Sequence, residues 1–393
     1  MRTLVVTFGS FADPRGGTQV RTRATVEALR RLGHDVSAIC VMHSYGSYHE
    51  PAGSGADRAT QKYANDAGLS ELLILNEPVV YGWSVRLASA IRRLAPGGQL
   101  IVLENALLFP AARSAARRSA VVWDTNECQS LHYARLQSTL PNRLRQIAFR
   151  GFEYYAARQS DVAVAIGSDE ARWWRHLYPQ LRNRTRVVEH RPYLPPGDGC
   201  QPWRPPTASS KDTVLVFLGN VTAKQNATAA RWLLDVLAPM LGRDTHLVLA
   251  GVGTDRLRTA AEGSRTWCLG EIRDIGNVIA GADLCLAPLA AGAGVKTKVL
   301  HYLALGRPVL GTPAAFEGIH DAPGATSVPL KHLAAAIPET VRQARADPRL
   351  STRQREWFAA GYGADVIARQ WEAVVEQALR SWTERSRRLV NRY

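Results

Sequence analysis

Gly292, Gly294, Lys296 and Lys298 lie within one short stretch, GAGVKTKVL, and their types and spacing suit a phosphate. Glycines let a backbone approach a ligand closely. The apolar residues that follow, Val299, Leu300, Leu303 and Ala304, recur at spacings of three and four, the stripe of a helix packed on a core. Gly306 stops that helix, and Arg307-Pro308 blocks its continuation. The glycine loop therefore opens onto a helix N-terminus, where unpaired N–H groups and the positive dipole end favour an anion. A cation in the first helical turn opposes the dipole, so two lysines there need a reason. A bound polyphosphate is one, and a solvated helix end is the alternative. Usage favours the first: only six of the 49 basic residues are lysine. The chain takes arginine for generic positive charge, whereas lysine is a compact point charge that reaches a phosphate without a planar fork.

The elements that hold this stretch repeat along the chain. TLVVTF at 3–8 reads as a buried strand, and Thr18 as the cap of a helix reaching about Leu32, with Val20, Ala24, Ala28, Leu29 and Leu32 inward and its arginines on the other face. DVSAICV follows as the second strand, completing a βαβ unit and implying a parallel sheet. LLIL, LIVL, AVVW, VAVAI and RVVEHR continue as strands between helices near 83–94 and 141–160, with Ser168 capping a further helix. Residues 43–68 read as a long loop or lid, and Trp173-Trp174 as packing, with a carbohydrate platform as the alternative. The Pro, Gly and Ser of 192–212 mark a linker. TVLVFLGN then restarts the strand–helix alternation. The expected division is a domain of 1–191, a linker of 192–212, a domain of 213–360, and a helix at 361–393 packing back on the first domain. The basic tail from 383 is expected to fray.

Three groups sit where a doubly wound sheet presents ligand contacts, just past strand ends. Gly16-Gly17 either admits a donor phosphate or sugar to the backbone or forms a plain tight turn. Asp124 and Glu127 follow AVVW, and Asp124 could equally cap the next helix. His132 reads equally as a helix-surface residue or a catalytic one.

The stretch from Gly292 resembles the nucleotide-sugar site of family 4 glycosyltransferases, G-S/T-G-x-x-x-K-x-x-E-A-x-A-x-G-x-P-V. The match covers Gly292, Gly294, Lys298, Ala304, Gly306, Pro308 and Val309, and AFEGI at 315–319 resembles the downstream A-E-G-L/I turn. The N-terminal Gly16-Gly17 and the run from Leu29 to Val36 resemble the family's first loop and helix end. Asp124, Ser130 and Arg135 match the family's D-x-H-N-x-E-S-x-x-x-x-R strand end, with Asn126 at its His and Gln129 at its Glu. The family's E-x7-E pair is replaced by Ala293 and His301. The resemblance implies a GT-B architecture, two Rossmann-like α/β domains facing a cleft, with a metal-independent, retaining transfer from a nucleoside-diphosphate sugar. It implies Lys298 and Asp124 as catalytic residues, and the place of Glu127 past the strand end adds it to them. It places donor contacts at Gly16, Gly17, Gly219, Asn220, Lys224, Gly292, Ala293, Gly294, Val295, Lys296, Thr297 and His301, with Asn220 at a family arginine position. Asn226 matches a family subgroup.

Composition bounds the partners. The length of 393 residues suits two domains, and the 46% apolar fraction supports large cores. The net charge of +15 calls for an anionic partner: a nucleotide sugar, or an acidic membrane touched peripherally. No nucleic-acid module is present in the sequence. Five scattered cysteines contain no C-x-x-C pair, so neither zinc nor a disulfide framework is expected, and no D-x-D triplet offers a metal clamp. No leader or spanning run appears, so a cytoplasmic setting is expected. The expected function is transfer of a sugar to the hydroxyl of a small molecule, glycan or lipid-linked acceptor, with no cofactor beyond the donor co-substrate. A nucleotide-sugar epimerase and a non-catalytic GT-B partner protein are the rivals.

Overall fold

The structure, a computed structural model, describes residues 1–9, 11, 17–42, 55–76, 84–135, 139–192, 200–257, 265–272, 274–290 and 294–390. Two compact units divide the chain: Met1–Tyr193 with Tyr362–Tyr393, and Leu194–Gly361.

The first unit runs β1 (Arg2–Phe8), α1 (Gly17–Arg31), β2 (Asp35–Met42), α2 (Gly55–Asp66), β3 (Glu71–Asn76), α3 (Val85–Leu94), β4 (Leu100–Leu103), α4 (Phe109–Ala116), β5 (Ala120–Asp124), α5 (Gln129–Arg135), α6 (Leu140–Gln159), β6 (Val162–Ala165), α7 (Ser168–Leu177) and β7 (Thr185–Val187). The second runs β8 (Thr213–Leu218), α8 (Lys224–Trp232), β9 (Thr245–Ala250), β10 (Thr266–Cys268), α9 (Ile275–Ala280), β11 (Leu284–Ala287), α10 (Thr297–Ala304), β12 (Val309–Gly311), β13 (Ala325–Ser327), α11 (Leu330–Ala346) and α12 (Leu350–Tyr362). The chain then returns to the first unit in α13 (Ala364–Val390).

Both sheets are parallel, with orders β3-β2-β1-β4-β5-β6-β7 and β10-β9-β8-β11-β12-β13. Short runs such as LIVL and VAVA are buried throughout, as strands covered on both faces must be. Their alternation divides the core: Leu4, Val6, Ile101 and Leu103 join one cluster, while Val5, Leu100 and Val102 join the other. The second cluster is roofed by Val26 and Leu29 of α1 and by Ile367, Trp371, Val374 and Ala378 of α13. In each sheet the order reverses beside the first strand, between β1 and β4 and between β8 and β11. These are the switch points at which such sheets open a crevice for ligands.

Five local expectations change. Helix α2 occupies 55–66 within the stretch read as a lid, and 43–54 lie outside the described residues. Helix α1 starts at Gly17, and its Arg21 points inward, 3% exposed, because a buried acid waits there. The cap of α7 is Gly167, with Ser168 its first residue. Strand β13 was not expected from the sequence. The basic tail stays helical to Val390, because Arg385 bonds the carbonyls of Ala116 and Ser119 and the Asp161 carboxylate at 2.9 Å.

Candidate active site

Helix α10 begins past β11, beside the switch point of the second sheet. Tyr302, fully buried, fixes it there by accepting a hydrogen bond from the Leu218 N–H at 2.7 Å at the end of β8. Gly306, at φ +68°, ends the helix, and its N–H bonds the Leu303 carbonyl. A Cβ there would fall 2.2 Å from Ser351 Oγ, so this stop admits only glycine. The N-cap residue of α10, Lys296, adds no side-chain cap bond.

Lys298 stands in that first turn. Its Nζ donates to Asn226 Oδ1 at 2.7 Å and lies 4.3 Å from the Phe217 ring centroid. Asn226 is oriented in turn by donating to the Asn220 carbonyl at 2.9 Å. Both partners of the ammonium are uncharged. Burial pushes the Lys298 pKa down to about 7, and repulsion from Lys296 adds to it. The cation–π contact favours the charged form but does not outweigh the loss of water. Lys296 has a different setting: it donates to the Gly294 carbonyl and lies 3.8 Å from Glu317. The turn bearing Glu317 presses on this loop, since a Cβ on Gly318 would fall 2.8 Å from Val295 Cγ2.

Glycines at neighbouring strand ends shape the floor. A Cβ on Gly251, at φ +123°, would fall 2.4 Å from the Gly219 carbonyl oxygen, and one on Gly219 would crowd Lys298 Nζ at 3.1 Å. Beyond them, Thr222, Gly253, Asp255, Arg256, Gly270 and Glu271 help line a cavity of about 390 Å³. Asn220 closes its own turn by accepting from the Thr222 N–H at 2.9 Å, and Lys224 opens α8 with its side chain exposed. Of the expected donor contacts, Gly219, Asn220, Gly294, Val295, Lys296, Thr297 and His301 lie with Lys298, expected as catalytic, at this edge of the second unit. Gly17 starts α1 in the first unit, and Gly16, Gly292 and Ala293 lie outside the described residues.

The first unit gathers a different set at its own switch point. Glu104 follows β4 and Asp124 ends β5, both buried. Arg21 donates from Nε to Asp124 at 2.7 Å and from Nη1 to the Val188 carbonyl at 3.0 Å. Thr25 reaches the other Asp124 oxygen at 3.4 Å, so this aspartate holds Arg21 and does not cap α5. Thr22 donates to Glu104. Burial, then repulsion from Asp124, pushes Glu104 up to about 8; burial raises Asp124 against the pull of Arg21; burial pushes Glu170 up to about 7. Asn126 adopts φ +51°, held by donating to the Glu104 carbonyl at 2.8 Å, and this turn carries Glu127 outward. Glu127 is partly exposed and pairs with His132 Nδ1 at 3.0 Å, which raises the histidine pKa. Of the tryptophan pair, Trp174 is buried against Trp123 and Tyr178, and Trp173 is exposed.

Arg21, Glu104, Glu170 and Phe217 were not singled out from the sequence. Glu104 carried a signal, an acid directly after the all-apolar LIVL strand. Phe217 carried none, since its contact with Lys298 depends on the tertiary arrangement.

Residues 212–345 match the family model "Glycosyl transferases group 1". The chain aligns over 96% of its length and 99% of the other chain with HepE from Anabaena in complex with UDP-glucose, at 14% identity and a TM-score of 0.68. The fold is GT-B. WaaG, a glycosyltransferase involved in lipopolysaccharide biosynthesis, aligns over 95% of this chain and 98% of its own at 15% identity and a TM-score of 0.63. A putative UDP-N-acetylglucosamine 2-epimerase from Listeria monocytogenes aligns over 96% of each at 11% identity and a TM-score of 0.57. No curated protein matches the chain in sequence.

Proposed function

We propose that the protein is a retaining, metal-independent glycosyltransferase moving a sugar from a nucleoside-diphosphate sugar to an acceptor hydroxyl. The observation that carries this reading is Lys298: a half-buried ammonium in the first turn of α10 whose contacts among the described residues, Asn226 and the Phe217 ring, are uncharged. Such a site is incomplete without an anion. A donor diphosphate supplies one, and the cavity beyond Gly219 and Gly251 leaves room for the rest of the nucleotide. The match of this segment to a glycosyltransferase family model supports the same assignment.

In this reading the bond from the anomeric carbon to the diphosphate oxygen breaks while the bond to the acceptor oxygen forms on the same face. The acceptor proton passes to the departing phosphate oxygen. Charge accumulates on the diphosphate, and Lys298 with the α10 N-terminus stabilises it. Lys296 and Lys224 assist from nearby. Glu127, a partly exposed acid at the first sheet's edge, is assigned to the acceptor side, and Asp124 acts by positioning Arg21. No metal is needed, and among the described residues no cluster of three or more His, Cys, Asp or Glu suits one. The acceptor is a small molecule, a glycan or a lipid-linked sugar, and the setting is the cytoplasm.

UDP-glucose is the first donor to test, because the HepE structure holds it. Purified protein with UDP-sugars and an acceptor library should release UDP and form glycosides, unaffected by EDTA. A rate lost with chelator and restored by magnesium would overturn metal independence. Sugar isomerisation without transfer would favour the epimerase, and tight nucleotide binding without turnover the non-catalytic partner.

A further inference from the structure

An apolar line runs along α6 without joining either core. Leu140, Leu144, Ile147 and Tyr154 are 70%, 59%, 67% and 48% exposed. Steps of four, three and seven residues place them on one helical face. The opposite face anchors the helix: Glu153, Ala156 and Ala157 are buried, and Phe152 packs against the core. Single exposed apolar residues are ordinary, but a continuous line of them on an anchored helix marks an interaction surface.

Charge identifies what the surface meets. Arg143, Arg150 and Arg158 are exposed within a quarter turn of that line, whereas Arg145 lies on the other side, over the Tyr133 ring of α5 at 5.9 Å. Its one acid, Glu153, is turned inward, accepting from the Ser130 N–H at 3.0 Å and the Tyr178 hydroxyl at 2.6 Å. The outward surface therefore combines apolar side chains with guanidiniums and holds no acid. A second copy would bring the same arginines on a chain of net charge +15, and like charges across an interface disfavour association. An anionic bilayer complements both properties. Its acyl boundary takes leucine, isoleucine and tyrosine, and its phosphates take the guanidiniums.

We propose that α6 lies in the plane of an anionic membrane and seats the first unit on it. No helix among the described residues is long and apolar enough to cross a membrane, so the contact is interfacial. The proposal stands independently of the reaction assigned above.

The test is co-sedimentation of the full chain with vesicles of phosphatidylcholine alone and of phosphatidylcholine mixed with phosphatidylglycerol. Wild type should bind the mixed vesicles and leave the neutral ones largely free. Leu144→Glu with Ile147→Glu should lower partitioning at least about tenfold, with circular dichroism and thermal midpoint unchanged because both side chains are exposed. Arg150→Gln and Arg158→Gln should each lower it about fivefold, on anionic vesicles only. Absence of vesicle binding by wild type, equal binding to both vesicles, or a double variant that binds as wild type would overturn the proposal. So would light scattering that shows a dimer broken by Leu144→Glu without vesicle binding, which assigns the stripe to a second copy.

Discussion

In the first unit the carboxyl edge of the sheet gathers acids, Glu104, Asp124 and Glu170, around the guanidinium of Arg21. In the second unit the same edge holds Lys298, whose contacts among the described residues are uncharged. Burial drives both sets toward neutrality, the acids upward in pKa and the lysine downward. The resolution differs. Asp124 meets its counter-charge inside the unit, so the Arg21 pair is part of the folded core. Lys298 meets none among the described residues, so its counter-charge is assigned to a ligand. An internally satisfied charge matters to folding, and an unsatisfied one to binding.

The largest effect should come from breaking the internal pair. Arg21→Ala leaves Asp124 buried without its cation, a loss of about 3–5 kcal/mol. Urea unfolding should show the transition of the first unit displaced, with nucleotide binding retained by the second. A variant as stable as wild type would show that the pair carries no such weight. Lys298→Ala should act in the opposite sense. It removes a desolvated cation, so the fold persists, but nucleoside-diphosphate affinity should fall by about 1.5–3 kcal/mol, the worth of a charge-assisted hydrogen bond. Calorimetry giving an unchanged Kd would remove Lys298 from the site.

The pH dependence sharpens the contrast. Glu104 has a folded pKa near 8, above its ordinary value of 4.5, so its contribution to stability is fully present below that value and is lost as pH rises through about 8. Lys298 has a folded pKa near 7, below its ordinary 10.5. Its contribution is fully present above 10.5 and is lost as pH falls through about 7. A bound diphosphate favours the ammonium and raises that pKa, so binding above pH 7 must take up a proton. Affinity should be level below about pH 7 and then fall by up to about 1.4 kcal/mol per pH unit. Calorimetry in buffers of different ionisation enthalpy should report the uptake, and Lys298→Met should abolish it. Uptake that persists in Lys298→Met would assign the proton elsewhere.

The fold was legible because parallel strands buried on both faces read as apolar runs, and glycines marked the ends of elements: Gly219 and Gly251 follow strands, Gly306 stops a helix, and a Cβ on Gly251 or Gly306 would collide. The lysine helix was legible for the same reason, its stripe and its stop being local signals. The inward turn of Arg21 was not, because it depends on Asp124, far away in sequence. Nor was the partner of Lys296, since Glu317 arrives on a separate turn. The helix within 43–68 was obscured by its small and polar composition. Local pattern reports the elements, while charge pairing across elements depends on the assembled sheet.

The smallest effect concerns His301, where the sequence departs from the glutamate of the family it resembles. It lies one turn after Lys298 on α10 and is partly exposed, so the two share a helical face. The family resemblance implies that this face meets the donor ribose. A carboxylate there accepts from two ribose hydroxyls, whereas a neutral imidazole offers one acceptor and one donor and holds a single hydroxyl. The native protein should therefore discriminate weakly between uridine and thymidine diphosphates, whose sugars differ at the 2′ position. His301→Ala should lose about 1 kcal/mol toward both, the net worth of one neutral hydrogen bond. His301→Glu should strengthen the uridine nucleotide by about the same amount and leave the thymidine nucleotide behind. Calorimetric titration of the three proteins with both ligands decides it. If His301→Ala leaves both affinities untouched while Lys298→Ala lowers them, the diphosphate contact stands and the ribose contact falls.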